Sequence, residues 1–244
     1  MRFLKSRNIS RQLLLKWNIE TWFLKMDLIE KTREFAASFL EGEPSSHDMG
    51  HINRVETLCL EICKEEGGDP FILRLAALLH DVGVVKEHEE GGDHALYSAV
   101  IASEFLGKAG LGKELIEAIA GCILTHRFSG GKSPDTIEAR ILQDADRLDA
   151  LGAVGIFRAV FSMGALRMLR YTTGIDKGSS KKTVYIEDPI EGFNEYMRYK
   201  PFTIPDKLNT STSKRIAEER LKIMRLYLEE LNIEARNGQR ASNP

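Results

Sequence analysis

The chain has 244 residues, of which 43% are hydrophobic and 29% are charged, and its formal net charge at pH 7 is −2. This composition is ordinary for a globular protein, and the chain is long enough to bury one large hydrophobic core or two small ones. The near-neutral charge argues against a protein dedicated to binding nucleic acid, which is usually basic, but leaves small anionic substrates open.

The first 25 residues are basic, with six lysines and arginines against the single acidic residue Glu20. Their apolar run Leu13-Leu14-Leu15 is broken at once by Lys16, and no small-residue cleavage site follows, so we predict no signal peptide. A clean amphipathic pattern begins only at Met26. We interpret residues 1–25 as an extension, with three alternatives open: an appendage, a misplaced start, or a basic helix on a membrane surface.

The remaining chain shows apolar residues at helical spacing in nearly every segment and no convincing alternating strand. Asp69-Pro70 is typical of a helix start, with an N-cap followed by a first-turn proline. This pair predicts a helix that runs through His80. The other predicted helices cover residues 26–40 and about 48–66, 94–109, 113–126, 141–170 and 213–231.

Residues 171–190 are polar and contain glycine, which predicts a mobile loop or lid. No internal repeat and no change in composition divides the chain. The sequence therefore predicts an all-α fold, with a single helical domain over residues 26–235 and a disordered tail over residues 236–244.

The three cysteines, Cys59, Cys63 and Cys122, have no paired spacing, which is typical of a protein in a reducing compartment. Cys59 and Cys63 share one face of a predicted helix and are interpreted as small core residues. No stretch approaches the roughly 18 apolar residues that a membrane span needs. We therefore expect a cytoplasmic protein with neither a membrane nor a nucleic acid as its partner.

His80 and Asp81 stand next to each other at the end of the apolar run Leu75–Leu79. Burying both without a partner is costly, and a divalent metal ion is the partner that best explains them, since imidazole and carboxylate together suit a hydrolytic metal centre. All six histidines lie between positions 47 and 126. This clustering strengthens the prediction of a metal site.

Three aspartates, Asp144, Asp146 and Asp149, fall within six residues on a predicted helix. Asp146 and Asp149 are three apart and therefore neighbours on the helix surface, so one can ligate a metal while the other orients a ligand or a helix terminus. The alternative is a solvated helix face, which the presence of His51 and His80-Asp81 in the same chain makes less attractive.

The order His51, His80-Asp81, Asp146 resembles the HD-domain superfamily of metal-dependent phosphohydrolases, and more narrowly its stand-alone branch that includes nucleotide pyrophosphohydrolases. The similar segments together span roughly residues 26–231. They are HDMGHINRV, LAALLHDVG, ARILQDADRLDALGAVGIFRA and LNTSTSKRIAEERLKIM.

The resemblance implies that His51, His80, Asp81 and Asp146 hold one divalent metal ion, with Asp144 as the alternative to Asp146. Mn²⁺ is favoured by the mixed nitrogen and oxygen ligands, while Mg, Co, Ni, Fe or Zn are possible. Two histidines and two carboxylates leave open coordination positions for water and a phosphate oxygen.

Further roles follow from the same resemblance. His94 and His126 either bind a second ion, as in two-metal members, or contact phosphate and transfer protons, which we favour. Lys86, Arg54 and Arg147 are candidates for holding substrate phosphates, although the two arginines could simply pair with aspartates. His47 is expected beside the ligands and not among them.

The implied activity is hydrolysis of a nucleoside or deoxynucleoside triphosphate to the monophosphate and pyrophosphate, so the expected partner is a small-molecule nucleotide. The open alternatives are a 5′-nucleotidase or alarmone hydrolase on the same site, a non-catalytic nucleotide-binding regulatory module, and an oxygenase with two irons. A homodimer is possible, but no specific feature of the sequence supports it.

Overall fold

The computed structural model describes residues 22–41, 47–127, 133–165, 171–175, 181–185 and 188–240. Helix α1 covers residues 22–40, and the alternatives for the N-terminal extension fall on residues 1–21, outside the described residues. The other α-helices are α2 (Met49–Glu66), α3 (Pro70–Leu79), α4 (Val84–Glu90), α5 (His94–Lys108), α6 (Lys113–Thr125), α7 (Ile137–Leu148), α8 (Gly152–Ala165), α9 (Pro189–Tyr199) and α10 (Ser211–Arg240).

Aspartate caps begin the three helices that place His51, His80 and His94. Asp48 accepts a hydrogen bond from the backbone N–H of His51 at the start of α2. Asp69 caps α3 ahead of Pro70, and Asp93 caps α5. Each carboxylate satisfies a backbone donor that the first helical turn leaves without a partner. The caps therefore set where each helix starts, and with it the position of its histidine.

Helix α3 occupies the centre of the molecule, packed against α2, α5, α6 and α7. Its residues Leu75 to Leu79 are all fully buried, as expected for a helix that is apolar on every side. The chain turns immediately afterwards through His80–Gly83, so the His-Asp pair lies inside the protein and not at its surface.

The all-α fold is confirmed, with local corrections that include helices α4 and α9, which were not predicted. The predicted loop contains an antiparallel hairpin of β1 (Tyr171–Ile175) and β2 (Lys181–Tyr185), with Tyr171 opposite Tyr185. Threonine, valine and tyrosine favour extended backbone, and the glycine and serine between them obscured that preference.

Another correction concerns the single helix predicted over residues 141–170, which is two helices. Gly152, at φ +79°, follows the turn at Asp149–Leu151 and begins α8. Helical hydrophobic spacing continues across this turn, so the pattern gave no sign of it.

The ends of the helical domain differ slightly from the expected boundaries. Residues 22–25 already belong to α1, and α10 continues through residues 236–240. Residues 241–244 lie outside the described part of the chain. Within the described residues, no helix is both long and apolar enough to cross a membrane.

Replacing Gly83 with Ala is expected to destabilise the protein by about 1–3 kcal/mol, because an added methyl group would overpack the turn after Asp81. A Cβ at Gly83 would lie 2.6 Å from the backbone nitrogen of Ser98 and 2.7 Å from the carbonyl oxygen of His94. Urea unfolding followed by circular dichroism measures the loss. Gly121→Ala is the control, since nothing lies within 4 Å of its Cβ in mid-α6. Equal stability of both variants would contradict this packing argument.

Candidate metal centre

Four side chains from three elements converge beyond the C-terminal end of α3. The Nε2 atoms of His51 and His80 lie 3.2 Å apart. The Oδ2 atom of Asp81 is 3.4 Å from Nε2 of His51 and 3.3 Å from Nε2 of His80. The Oδ1 atom of Asp146 lies 3.4 Å and 4.0 Å from the same two nitrogens. The four residues predicted as ligands are thus brought together.

Hydrogen bonds on the outer side of each imidazole fix which nitrogen faces inward. The Nδ1 atom of His51 lies 2.8 Å from Oδ2 of Asp149, and Nδ1 of His80 lies 2.8 Å from the carbonyl oxygen of Ala77. Since both outer partners are acceptors, each Nδ1 carries a hydrogen, and in its neutral form each ring would turn its Nε2 lone pair inward. The cluster therefore presents four acceptor atoms to one another, an arrangement that fits a divalent cation.

The electrostatics of His51 show how strongly this cluster attracts positive charge. Burial and the nearby Arg158 lower the pKa of His51, but hydrogen bonds with Asp146, Asp149 and Asp81 outweigh them and raise it to about 10. Although burial raises the pKa of Asp146, the neighbouring histidines hold it well below its usual range. A cation that binds here replaces a proton, since a ligating histidine must be neutral.

Asp149 is held by two arginines from different helices. Arg54 donates through Nε to Oδ1 at 2.7 Å and through Nη2 to Oδ2 at 3.0 Å. Arg158 of α8 donates to Oδ2 at 2.6 Å. These contacts show that Arg54 pairs with an aspartate, and a role of Arg54 in holding phosphate stays a prediction. Arg158 lies within the segment ARILQDADRLDALGAVGIFRA but was assigned no role there, because its approach to Asp149 depends on the turn between α7 and α8.

A second group of acceptors surrounds the other oxygen of Asp81. Oδ1 lies 3.6 Å from Nε2 of His94 and 3.5 Å from Nε2 of His126, and these two nitrogens are 3.3 Å apart. Glu87 and the carbonyl oxygen of Ile123 accept from the two Nδ1 atoms, so the rings point inward. Asp81 Oδ1 is buried without a hydrogen bond of normal geometry.

The two histidines of this second group differ in their tendency to hold a proton. Burial lowers the pKa of His94. Burial also acts to lower the pKa of His126, but its contact with Asp81 outweighs burial and raises it. The sequence singled out both histidines but gave no sign of Glu87, whose other oxygen pairs with Arg127 at 2.9 Å.

His47 lies at the exposed side of the cluster, with its Nδ1 2.7 Å from Oδ2 of Asp81. Its side chain is 36% exposed, whereas that of Asp81 is 1% exposed. Together with His51 and Asp81 it forms another group that could hold a metal ion. This position agrees with the prediction that His47 lies beside the metal ligands. It also places His47 close enough to ligate a metal ion directly.

The remaining predicted residues have contacts of other kinds. Lys86 lies 3.7 Å from Glu90, with its ammonium 4.9 Å from the centre of the Tyr97 ring. Arg147 donates to the carbonyl oxygen of Lys207. Asp144 is fully buried and accepts from the backbone N–H groups of Asn209 and Thr210, so it lies among other partners than the histidine cluster. A role of Lys86 or Arg147 in holding phosphate stays a prediction.

Comparison with known proteins supports the same family along most of the chain. Residues 49–151 match the family model for the HD domain. The protein YpgQ of Bacillus subtilis is 34% identical over 206 residues, which cover 83% of this chain and 91% of YpgQ.

Solved structures agree with this relationship. The crystal structure of Bacillus subtilis YpgQ in complex with ADP has a TM-score of 0.63 at 31% identity, covering 84% of this chain and 97% of that one. An HD-superfamily hydrolase from Bacillus thuringiensis has a TM-score of 0.64 at 31% identity, covering 87% and 98%. The chain belongs to the HD-domain superfamily of metal-dependent phosphohydrolases.

Proposed function

We propose that this protein hydrolyses nucleoside or deoxynucleoside triphosphates to the monophosphate and pyrophosphate, using one divalent cation, with Mn²⁺ favoured. The observation that carries the proposal is the convergence of acceptor atoms from the buried His51, His80 and Asp81 and the partly exposed Asp146. The ADP in the structure of Bacillus subtilis YpgQ supports a nucleotide as the substrate. A cytoplasmic location, expected from the unpaired cysteines, belongs to the same proposal.

In this proposal the two histidines and two carboxylates hold the cation, which would polarise a phosphoryl oxygen and lower the pKa of bound water. Asp149 keeps the Nδ1 hydrogen of His51 on the outer side of the ring. His94 and His126 are the proton-transfer residues, since both are buried, inward-facing and adjacent to Asp81. Arg54, Arg147 and Lys86 are the proposed cationic contacts for the phosphates.

The test is an assay of phosphate and pyrophosphate release from every NTP and dNTP, with Mn²⁺, Mg²⁺, Co²⁺ or a chelator. The proposal expects pyrophosphate release that requires the cation and is abolished by His80→Ala. Phosphate release from nucleoside monophosphates alone would favour a 5′-nucleotidase, and turnover of alarmones alone an alarmone hydrolase. Bound nucleotide without any turnover would make the protein a regulatory module.

The number of metal ions bound per chain distinguishes the proposed one-metal site from a two-metal site. The lone Oδ1 atom of Asp81 beside His94 and His126 could instead receive a second cation. We expect one ion per chain in the purified, Mn²⁺-loaded protein and the same content in His126→Ala. Two ions in the wild type and one in His126→Ala would establish a second metal position, and two irons would favour an oxygenase.

Asp149→Asn is expected to weaken cation binding by about 10- to 100-fold, because the carboxylate that orients His51 loses its charge. An amide oxygen in place of Oδ2 can still accept from Nδ1 of His51, which should keep the ring in place, while Nε of Arg54 loses its acceptor and Nε2 of His51 becomes a poorer ligand. Isothermal titration with Mn²⁺ measures the dissociation constant. Asp188→Asn, at the N-cap of α9, is the control, since asparagine caps a helix equally well. If Asp149→Asn binds Mn²⁺ with unchanged affinity, then Asp149 does not contribute to the metal site.

A further inference from the structure

His47 is the most solvent-exposed of the five histidines around Asp81 and precedes the cap residue of α2. The side chains of His51 and His80 are fully buried, whereas that of His47 is 36% exposed. The ring of His47 meets the ring of His51 edge-on, with centroids 5.5 Å apart. An imidazole that is open to solvent therefore reaches the same cluster as the two buried ones.

The Oδ2 atom of Asp81 is shared by three imidazole nitrogens. It lies 2.7 Å from Nδ1 of His47, 3.3 Å from Nε2 of His80 and 3.4 Å from Nε2 of His51. Atoms that bind one metal ion at about 2.0–2.2 Å are separated by roughly 2.8–3.6 Å when they occupy neighbouring positions around it. The distances around Oδ2 are therefore close to those within a single coordination sphere, and the contact of His47 is one of them.

The side of Asp81 that His47 contacts separates a ligand from an orienting residue. A residue that only orients a ligand contacts it on its outer side, as Asp149 does behind His51. His47 instead contacts Oδ2 of Asp81, the oxygen that faces the predicted ligands. A nitrogen of His47, a nitrogen of His51 and a carboxylate oxygen of Asp81 all lie within 4.8 Å of one another. His47 therefore lies on the inner side of the carboxylate.

The chemistry of imidazole fits this position. The carboxylate of Asp81 accepts the hydrogen on Nδ1 of His47, and a cation that binds this nitrogen replaces that hydrogen, because a ligating imidazole is neutral. With His47 the site offers three nitrogens and two carboxylates. Five protein ligands leave one position of a six-coordinate ion for water or a phosphate oxygen.

We propose that His47 is a fifth ligand of the metal ion and binds it through Nδ1. The inference rests on the proposed function, since it requires a cation held by His51, His80, Asp81 and Asp146. It adds a ligand from the segment ahead of α2, on the side of the site that solvent reaches. The expectation from the sequence, that His47 lies beside the ligands and not among them, is the competing role.

Titration of the full, metal-depleted chain with Co²⁺ tests the fifth ligand. Calorimetry measures the dissociation constant, and the visible absorption of bound Co²⁺ reports the number and kind of its ligands. In His47→Asn the amide N–H₂ can still donate to Asp81, so an orienting hydrogen bond is kept while the imidazole is lost. We expect the affinity to fall at least about 10-fold, the lower limit for loss of a residue that only supports a ligand, and the absorption bands to change.

His88→Asn is the matched control, because it makes the same replacement at an exposed histidine of α4. It should leave both the Co²⁺ affinity and the absorption bands unchanged. Circular dichroism verifies that each variant is folded, and His47→Gln replaces His47→Asn if the latter does not fold.

Three outcomes would overturn the fifth ligand while leaving the metal centre in place. One is a His47→Asn protein with the Co²⁺ affinity and absorption of the wild type. The second is a weaker affinity with unchanged absorption bands, which would mean that His47 acts only through Asp81. The third is an equal change in His88→Asn. A wild type that binds neither Co²⁺ nor Mn²⁺ would instead overturn the metal centre itself, and the fifth ligand with it.

Discussion

Replacing Asp81 with Asn is expected to reduce kcat/KM by at least about 10³-fold, which corresponds to about 4 kcal/mol of transition-state stabilisation. Asp81 faces both groups of histidines, with Oδ2 toward His51 and His80 and Oδ1 toward His94 and His126. An asparagine has nearly the same volume, but it removes the negative charge and directs an N–H₂ donor into the cluster. Steady-state kinetics with Mn²⁺ measure the activity, and isothermal titration measures the cation affinity.

The matched control for this variant lies at the other end of the same helix. Asp69 caps α3 by accepting from the backbone N–H of Phe71, and the ten residues of α3, roughly 15 Å of helix, separate it from the His80-Asp81 pair. Asp69→Asn should keep its activity because asparagine is an equally good N-cap. A folded Asp81→Asn protein with more than about a tenth of the wild-type kcat/KM would exclude Asp81 as a metal ligand.

The candidate ligands could be identified from the sequence because each stands in a local pattern. His80 and Asp81 follow the fully buried apolar run Leu75–Leu79 at the end of α3, and His51 follows a helix start marked by Asp48. Such positions depend on neighbours along the chain, so the local motifs that carry the resemblance to the HD-domain superfamily could select them. The same is true of Asp149, which helical spacing placed on one face with Asp146.

The partners that orient these ligands could not be identified in this way. Arg158 reaches Asp149 only because the chain turns at Asp149–Leu151 before α8 begins. Glu87 reaches His94 because α4 forms between the His-Asp turn and α5. Both contacts depend on how separate helices pack, and hydrophobic spacing carries no information about that packing.

Lys86 is a residue that the sequence did single out, but whose surroundings it did not predict. Its distance from Asp81 along the sequence suggested a phosphate contact, but helix α4 was not expected from the sequence. On a helix, Lys86 lies one turn before Glu90, and the two side chains form an exposed ion pair. A substrate phosphate that binds Lys86 must therefore compete with Glu90, although such exposed pairs contribute little to stability.

Asp144→Ala is expected to destabilise the protein by about 3–5 kcal/mol, because a fully buried carboxylate and its hydrogen bonds are lost together. Asp144 accepts from the backbone N–H groups of Asn209 and Thr210 and from the Thr210 hydroxyl, at 2.8 to 3.1 Å. These contacts fasten the segment that leads into α10 to helix α7. Removal of the Asp144 carboxylate leaves these buried backbone donors without an acceptor. Urea unfolding measures the resulting loss in the free energy of unfolding.

The same variant decides between the two aspartates that the sequence left as alternative ligands. Asp27→Ala, which removes an exposed carboxylate paired with Lys31, is the stability control and should leave the unfolding midpoint nearly unchanged. Below its unfolding temperature, Asp144→Ala should bind Mn²⁺ with wild-type affinity, whereas Asp146→Ala should lose binding while keeping most of its stability. If Asp144→Ala instead remains as stable as the wild type but no longer binds Mn²⁺, then Asp144 and not Asp146 is the ligand, and its contacts with Asn209 and Thr210 contribute little to stability.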